Sequence, residues 1–330
     1  MVSQSVVQHS NSLISNSLSS PVTALFVGGT SGVGRITLLK LAKFAKCPRI
    51  YLVGRSQAAA DEIIAECRTL NPQGHYTFLQ ADVSLVAGVD RFCETFKGLE
   101  STLDLLFLSP GVLSMDRSVT SENIHLLAAV NYYCRMRIIT SLLPLVQRSS
   151  LRRVMTVAGG GNEGPLDLDD LQGLRVPIPQ LRGHLSTLIT LGLETVAIKA
   201  PSVSFIHSYP GSVVTGLYRD LEKPPFDLAS AVSIDECGER QLYVATNARF
   251  APKELHSVGV SMEGADVTVG SNREPNSGVY TVGKDCESAS KQVLNSLADL
   301  REQGAVQRIW QHTMDLFREV LEAPTIKKQG

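Results

Sequence analysis

Short apolar runs rich in β-branched residues recur along the chain. Each is followed by a longer stretch in which apolar residues return every three or four positions. The segments "VTALFVG" (22–28), "RIYLVG" (49–54), "HYTFLQ" (75–80), "LDLLFL" (103–108), "RRVMTVA" (152–158) and "PSVSFIHS" (201–208) predict strands. Most are apolar nearly throughout, as strands buried on both faces of a parallel sheet must be. Helices are predicted at 34–46, 58–70, 87–99, about 124–147 and about 180–198, then near 230–246. A last strand, "GVYTV" (278–282), precedes C-terminal helices from about 288 to 321. This alternation implies an α/β fold, a doubly wound parallel sheet with right-handed crossovers and helices on both faces. No repeat or low-complexity linker divides the chain, so 21–330 reads as one domain, with 212–276 as a loop-and-helix cap over a substrate region. Residues 1–20 read as a flexible or helical lead-in. Val6, Val7, Leu13, Ile14 and Leu18 would form one helical face there, although Ser and Asn are weak helix formers.

Composition narrows the functional classes. The 330 residues are 43% hydrophobic and 19% charged, the balance of a globular protein with a large core. A net charge of −1 and the absence of any Lys/Arg block give no pull toward nucleic acid or an anionic membrane. Six scattered cysteines, with no C-x-x-C pair, give no metal site and suit a reducing compartment. The Ser-rich N-terminus has neither the basic start and apolar run of a secretory leader nor the arginines of a mitochondrial one. No apolar run reaches bilayer-spanning length. A soluble, cytoplasmic protein is expected.

Candidate chemistry begins after the first strand, where "VGGTSGVG" places Gly28, Gly32 and Gly34 at the turn into a helix. Such a turn lets a pyrophosphate approach the backbone, and the helix N-terminus offers it free N–H groups and a partial positive charge. The arrangement predicts a Rossmann-like nucleotide site. The second strand ends in Gly54, Arg55 and Ser56 rather than in a carboxylate. A guanidinium and a hydroxyl suit a ribose 2′-phosphate, so NADP(H) is favoured over NAD(H). Asp82, after the third strand, is placed to meet the adenine amino group, to cap the next helix, or both.

The spacing of Gly28, Gly32 and Gly34, together with Asp82, "LSPG" (108–111), Val130–Asn131 and "PGSVVT" (210–215), resembles the short-chain dehydrogenase/reductase family. Val27 replaces the Thr usual before the first glycine, and "LSPG" stands where that family typically has "NNAG". The flanking sequences are similar to a fungal branch often found among secondary-metabolite enzymes. The resemblance implies cofactor contacts from Gly28, Thr30, Ser31, Gly32, Val33, Gly34, Arg55, Ser56, Asp82, Val83, Ser109, Gly111, Pro210, Gly211, Val213 and Thr215. It implies a small-molecule substrate, an apolar polycyclic, polyketide or terpenoid-type intermediate. It also implies a homo-oligomer packed through the helices near 124–147 and 180–198, with Ile138, Ile139, Leu142, Leu143, Leu188, Ile189 and Leu193 as apolar contacts.

Family members neutralise the alkoxide left by hydride transfer with a Tyr, a Lys one turn later and a Ser after the fifth strand, with an Asn anchoring a water relay. Asn131 fits the Asn position. The others fall near Val176, Gln180 and Gly159. No Tyr lies between Tyr133 and Tyr209, and no Lys between Lys97 and Lys199, so no alignment restores the Tyr-x-x-x-Lys pair. Asn131, Ser109 and Tyr209 are the remaining catalytic candidates, although nothing beside Tyr209 in sequence would lower its pKa. His184 and His207 read as structural, and Glu163, Asp167, Asp169 and Asp170 as a solvated loop. Three readings stay open: an NADP(H)-dependent oxidoreductase with a non-standard proton source, a non-redox cyclase, isomerase or dehydratase on the same fold, and an inactive nucleotide-binding partner.

Overall fold

The chain runs through α1 (Gln4–Ser12), α2 (Ile14–Ser17), β1 (Thr23–Val27), α3 (Gly32–Phe44), β2 (Arg49–Gly54), α4 (Gln57–Leu70), β3 (His75–Gln80) and α5 (Val86–Leu99). It continues with β4 (Leu105–Leu108), α6 (Leu126–Ala128), α7 (Cys134–Gln147), β5 (Arg153–Val157), α8 (Ile178–Ala197), β6 (Ser204–Ser208), α9 (Ile234–Thr246), β7 (Val279–Val282), α10 (Lys291–Glu302) and α11 (Ala305–Glu322). This computed structural model describes residues 1–322 except Met115, Asp220, His256, Ala265 and Asp266. The strands form one parallel sheet in the order β3-β2-β1-β4-β5-β6-β7.

Both faces of the sheet are covered, which is why the strands do not alternate in polarity. Leu25 and Val27 pack with Leu106, Val154 and Phe205 under α5, α7, α8 and α11. Ala24, Phe26, Ile50 and Ile206 pack on the opposite side under α3, α4 and α9. Only β3, at the sheet edge, keeps a half-exposed polar pattern. The chain reverses direction of winding between β1 and β4, so the Gly28–Gly34 turn and the Ser109–Gly111 loop face each other at the C-terminal edge of the sheet. Open α/β sheets bind ligands at such a crevice.

Two expectations change. The lead-in is docked, with Val7 and Ile14 fully buried; Asn11 donates to the Glu239 carbonyl (3.0 Å), and Asn247 to Ser10 (2.9 Å). Val6 is not on that face but in solvent, because it lies about 100° around α1 from the buried Val7. The apolar positions expected to serve an oligomer, Ile138, Ile139, Leu142, Leu188, Ile189 and Leu193, are buried within the chain. They are spent on the sheet and on α11, which covers α8. Tyr132 and Tyr133 hydrogen-bond Thr313 and His312 of α11 (both 2.8 Å), and Arg137 stacks on Phe317. Among the described residues all six cysteines are free, no cluster of metal-ligating groups occurs, and no helix is long and apolar enough to cross a membrane.

Candidate active site

At the crevice, backbone surfaces meet too closely for side chains. A Cβ on Gly28, which has φ +80°, would lie 2.7 Å from the Pro110 nitrogen. One on Gly34 would overlap the Ser109 hydroxyl and lie 2.5 Å from the Gly28 carbonyl oxygen. Thr215, arriving from the loop after β6, rests against Gly32, and Thr30 packs on Gly54. Ser31 is extended at the N-cap of α3 and makes no capping bond, so the first-turn N–H groups of Gly32, Val33 and Gly34 point into the crevice. Arg55 is exposed and has no carboxylate partner among the described residues. Ser56 caps α4 through the Ala59 N–H (3.2 Å), a role compatible with a further contact from its O–H. Asp82 does not cap the next helix: Leu85 is the N-cap of α5, and the Glu122 carboxylate takes the Val86 and Ala87 N–H groups in trans. Asp82 instead holds Ser84 in an Asx turn through Oδ1.

Beyond the glycine turn lies a buried polar row. Thr156, His207 and Thr281 stand side by side on β5, β6 and β7. The Gly159 N–H donates to His207 Nε2 (3.0 Å), which leaves the imidazole proton on Nδ1, facing Thr190 Oγ1 (2.8 Å). Thr190 (2.7 Å) and Thr281 donate to Glu163 Oε1, and Gly161 N–H donates to Thr281 (2.7 Å). Burial draws the His207 pKa below its ordinary value despite the carboxylate. Burial opposes charge on Glu163 too, but the bonds from His207, Thr281 and Thr190 outweigh it and hold the carboxyl low. At the other end, Arg135 is fully buried and donates to the carbonyls of Leu108, Pro110, Val130 and Val157 and to Thr156 Oγ1. Desolvation lowers its pKa to about 9. These bonds clamp the ends of β4 and β5 and the Gly159–Gly161 loop into a rigid floor.

Over this floor, the Arg182 guanidinium lies 4.9 Å from the Tyr209 ring centroid. Tyr209 is half-buried at the end of β6 and shares a hydrogen bond with Ser212 (3.4 Å). Burial pushes its phenol up, but Ser212, Arg182 and the Lys284 charge together bring it below the ordinary tyrosine value.

Residues 22–164 match the short chain dehydrogenase family. An oxidoreductase of Emericella nidulans is 38% identical over 97% of this chain and 99% of its own length. The chain belongs to the short-chain dehydrogenase family. The oxidoreductase andH of Emericella variicolor is 36% identical over 97% of this chain and 98% of its own. L-sorbose reductase from Gluconobacter frateurii, solved with NADPH and L-sorbose, shares the fold with a TM-score of 0.54 at 16% identity, covering 70% of this chain and 91% of that one.

Within this dehydrogenase fold, Val176 is buried just before α8. Its N–H donates to Asp170 (3.0 Å) and its carbonyl accepts from Arg117. Gln180 is exposed on the first turn of α8. Asn131 lies in a π-helical turn, Ala129–Tyr133, and spends an amide N–H on the Leu127 carbonyl (2.9 Å). Ser109 points into the glycine turn toward the Val27 and Gly28 carbonyls (3.4 Å each). His184 and His207 are structural, as the sequence suggests. His184 accepts from Asp167 N–H (3.2 Å) and faces the Leu171 carbonyl (3.3 Å). Glu163 and Asp170 correct the solvated-loop reading: the Glu163 side chain is 2% exposed, and Asp170 is buried, accepting from the N–H groups of Leu174, Arg175 and Val176. Sequence reasoning also missed Ser186, whose hydroxyl fills the space a Cβ at Gly159 would take, one turn after Arg182 on α8. No linear signal marks it, because only the packing of α8 on β6 and β7 brings it beside the loop that follows β5.

Proposed function

We propose that this chain is an NADP(H)-dependent oxidoreductase of small-molecule metabolism in which Tyr209 and Arg182 replace the absent Tyr-x-x-x-Lys pair. The carrying observation is the crevice itself, where the turn at Gly28 and Gly34 packs so closely on Pro110 and Ser109 that no Cβ fits. Its free helix N-terminus suits a pyrophosphate, and the exposed Arg55 suits a 2′-phosphate. When bound, the cofactor supplies or takes the hydride. Thr30, Ser31, Gly32 and Val33 would line its phosphates, and Asp82 Oδ2 and Val83 its adenine. Ser109, Gly111, Pro210, Gly211, Val213 and Thr215 would line its nicotinamide half. Tyr209 donates the proton to the oxygen on which negative charge develops, and Arg182 stabilises the phenolate that results. Arg182 lies 4.0 Å from a Cβ built on Gly159, so it reaches the place where the family's Ser would stand. The exposed apolar cap residues Val214, Leu217 and Leu228 support an apolar substrate, for which a polycyclic, polyketide or terpenoid-type intermediate is proposed.

Titration of the purified protein with NADPH and NADH tests the cofactor assignment, with NADPH expected to bind more tightly and Arg55→Ala to remove the preference. Equal or undetectable binding of both would overturn it. Carbonyl reduction with stoichiometric NADPH oxidation supports the redox reading. Product formation without cofactor would replace it with the cyclase, isomerase or dehydratase reading.

A further inference from the structure

The mouth of the pocket carries more positive charge than the proton-donor role of Tyr209 uses. Arg182 reaches it from α8, and Lys284 from the turn after β7, where its side chain runs along Gly211. Both are exposed, and among the described residues neither forms an ion pair. Several arginines elsewhere are matched, Arg35 with Glu66, Arg49 with Glu100, Arg137 with Asp90 and Arg301 with Glu194, whereas Arg182, like Arg55, is not. Arg182 lies over the Tyr209 ring and hydrogen-bonds that side chain, and a guanidinium with five N–H donors keeps others for a planar oxyanion. Beside the cations the cap supplies an aromatic wall, Tyr218 and Phe226, whose rings meet edge to face at 5.3 Å. Tyr218 lies within electrostatic range of the Arg182 cation and of the Tyr209 phenol.

We infer that Arg182 and Lys284 form a recognition site for a carboxylate, and that the substrate carries this group on an apolar or aromatic body lying against Tyr218 and Phe226. The inference rests on reading this pocket as the substrate site. It adds a chemical class that neither the fold nor the fungal relatives specify. A carboxylate held by these two cations anchors a substrate beside the Tyr209 phenol. A neutral analogue loses the charge-assisted bonds and leaves both cations without a counter-charge.

The test is direct binding of trans-cinnamate and trans-cinnamamide, followed by calorimetry or ligand-observed NMR, with and without NADPH. Cinnamate is expected to bind about tenfold or more tightly than the amide, the range of one charge-assisted bond. Arg182→Met should bring the two ligands within about twofold, and Lys284→Met should reduce the preference severalfold. Added salt should weaken cinnamate and leave the amide unchanged. Equal affinity of the two ligands, undetectable cinnamate binding, or a preference that survives both substitutions would each overturn the inference. Failure of NADPH to bind would count against the proposed function alone, since the carboxylate preference is read without turnover.

Discussion

Replacing Glu163 with leucine tests whether a buried carboxylate holds the pocket floor together. Its Oε1 takes hydrogen bonds from Thr190 and Thr281, which in turn hold His207 and the Gly161 N–H, while Oε2 is buried without a partner. Leucine has a similar volume and accepts nothing, so two hydroxyls lose their acceptor at about 1–3 kcal/mol each. Thr190 recovers part of this by turning to a carbonyl of its own helix. Removal of the unpartnered oxygen recovers more, which leaves a net loss of about 1–4 kcal/mol. Glu163→Gln keeps the acceptor and should stay within about 1 kcal/mol of wild type. Equilibrium denaturant unfolding near neutral pH measures both. Acid has a defined direction here. His207 has a depressed folded pKa, so its contribution is full above its ordinary value of about 6.5 and is lost as pH falls. Glu163 is also depressed, and its contribution is full above about 4.3 and lost below. Wild-type stability should therefore fall steadily as pH drops through the range from about 6.5 downward, and Glu163→Leu should lack the lower part of the fall. A leucine variant as stable as wild type would refute the reasoning: the cost of burying the carboxylate would then exceed what its bonds return.

Gly34→Ala should open the nucleotide turn by an overpacking cost of about 1–3 kcal/mol, weakening NADPH binding by roughly 5- to 150-fold in a fluorescence titration. Tyr209→Phe keeps the ring under Arg182 and removes only the phenol. Once a turned-over substrate is in hand, kcat should fall by about 10²–10⁴ with NADPH affinity unchanged. Arg135→Met strips the donor from four carbonyls and Thr156, and chemical unfolding should show a loss of about 2–5 kcal/mol.

The order of strands and helices, the parallel sheet and the nucleotide turn were legible along the chain. Each rests on local periodicity or on glycines needed within a few residues of one another. The missing Tyr and Lys were equally legible, because absence over a long interval needs no alignment. Glu163 reads as solvated in "GNEGPLDLDDL" because nothing adjacent explains its burial; its partners Thr190, His207 and Thr281 come from α8, β6 and β7. The same holds for Tyr209, which has no pKa-lowering neighbour in sequence and acquires Arg182 from α8 and Lys284 from beyond β7.

The oligomer face shows the division most plainly. Ile138, Leu142 and Leu188 are apolar at helical spacing, and spacing alone cannot say whether such a stripe meets a partner chain or its own. Only the return of α11 across α8 decides that it is buried within the chain. The sequence by itself determined the class of fold, the glycine turn at the head of α3 and the absence of any Tyr between Tyr133 and Tyr209 and of any Lys between Lys97 and Lys199. Tertiary structure decided what stands in the vacated pocket, because electrostatic and hydrogen-bond partners act over a few ångströms of space, however many residues of chain lie between them.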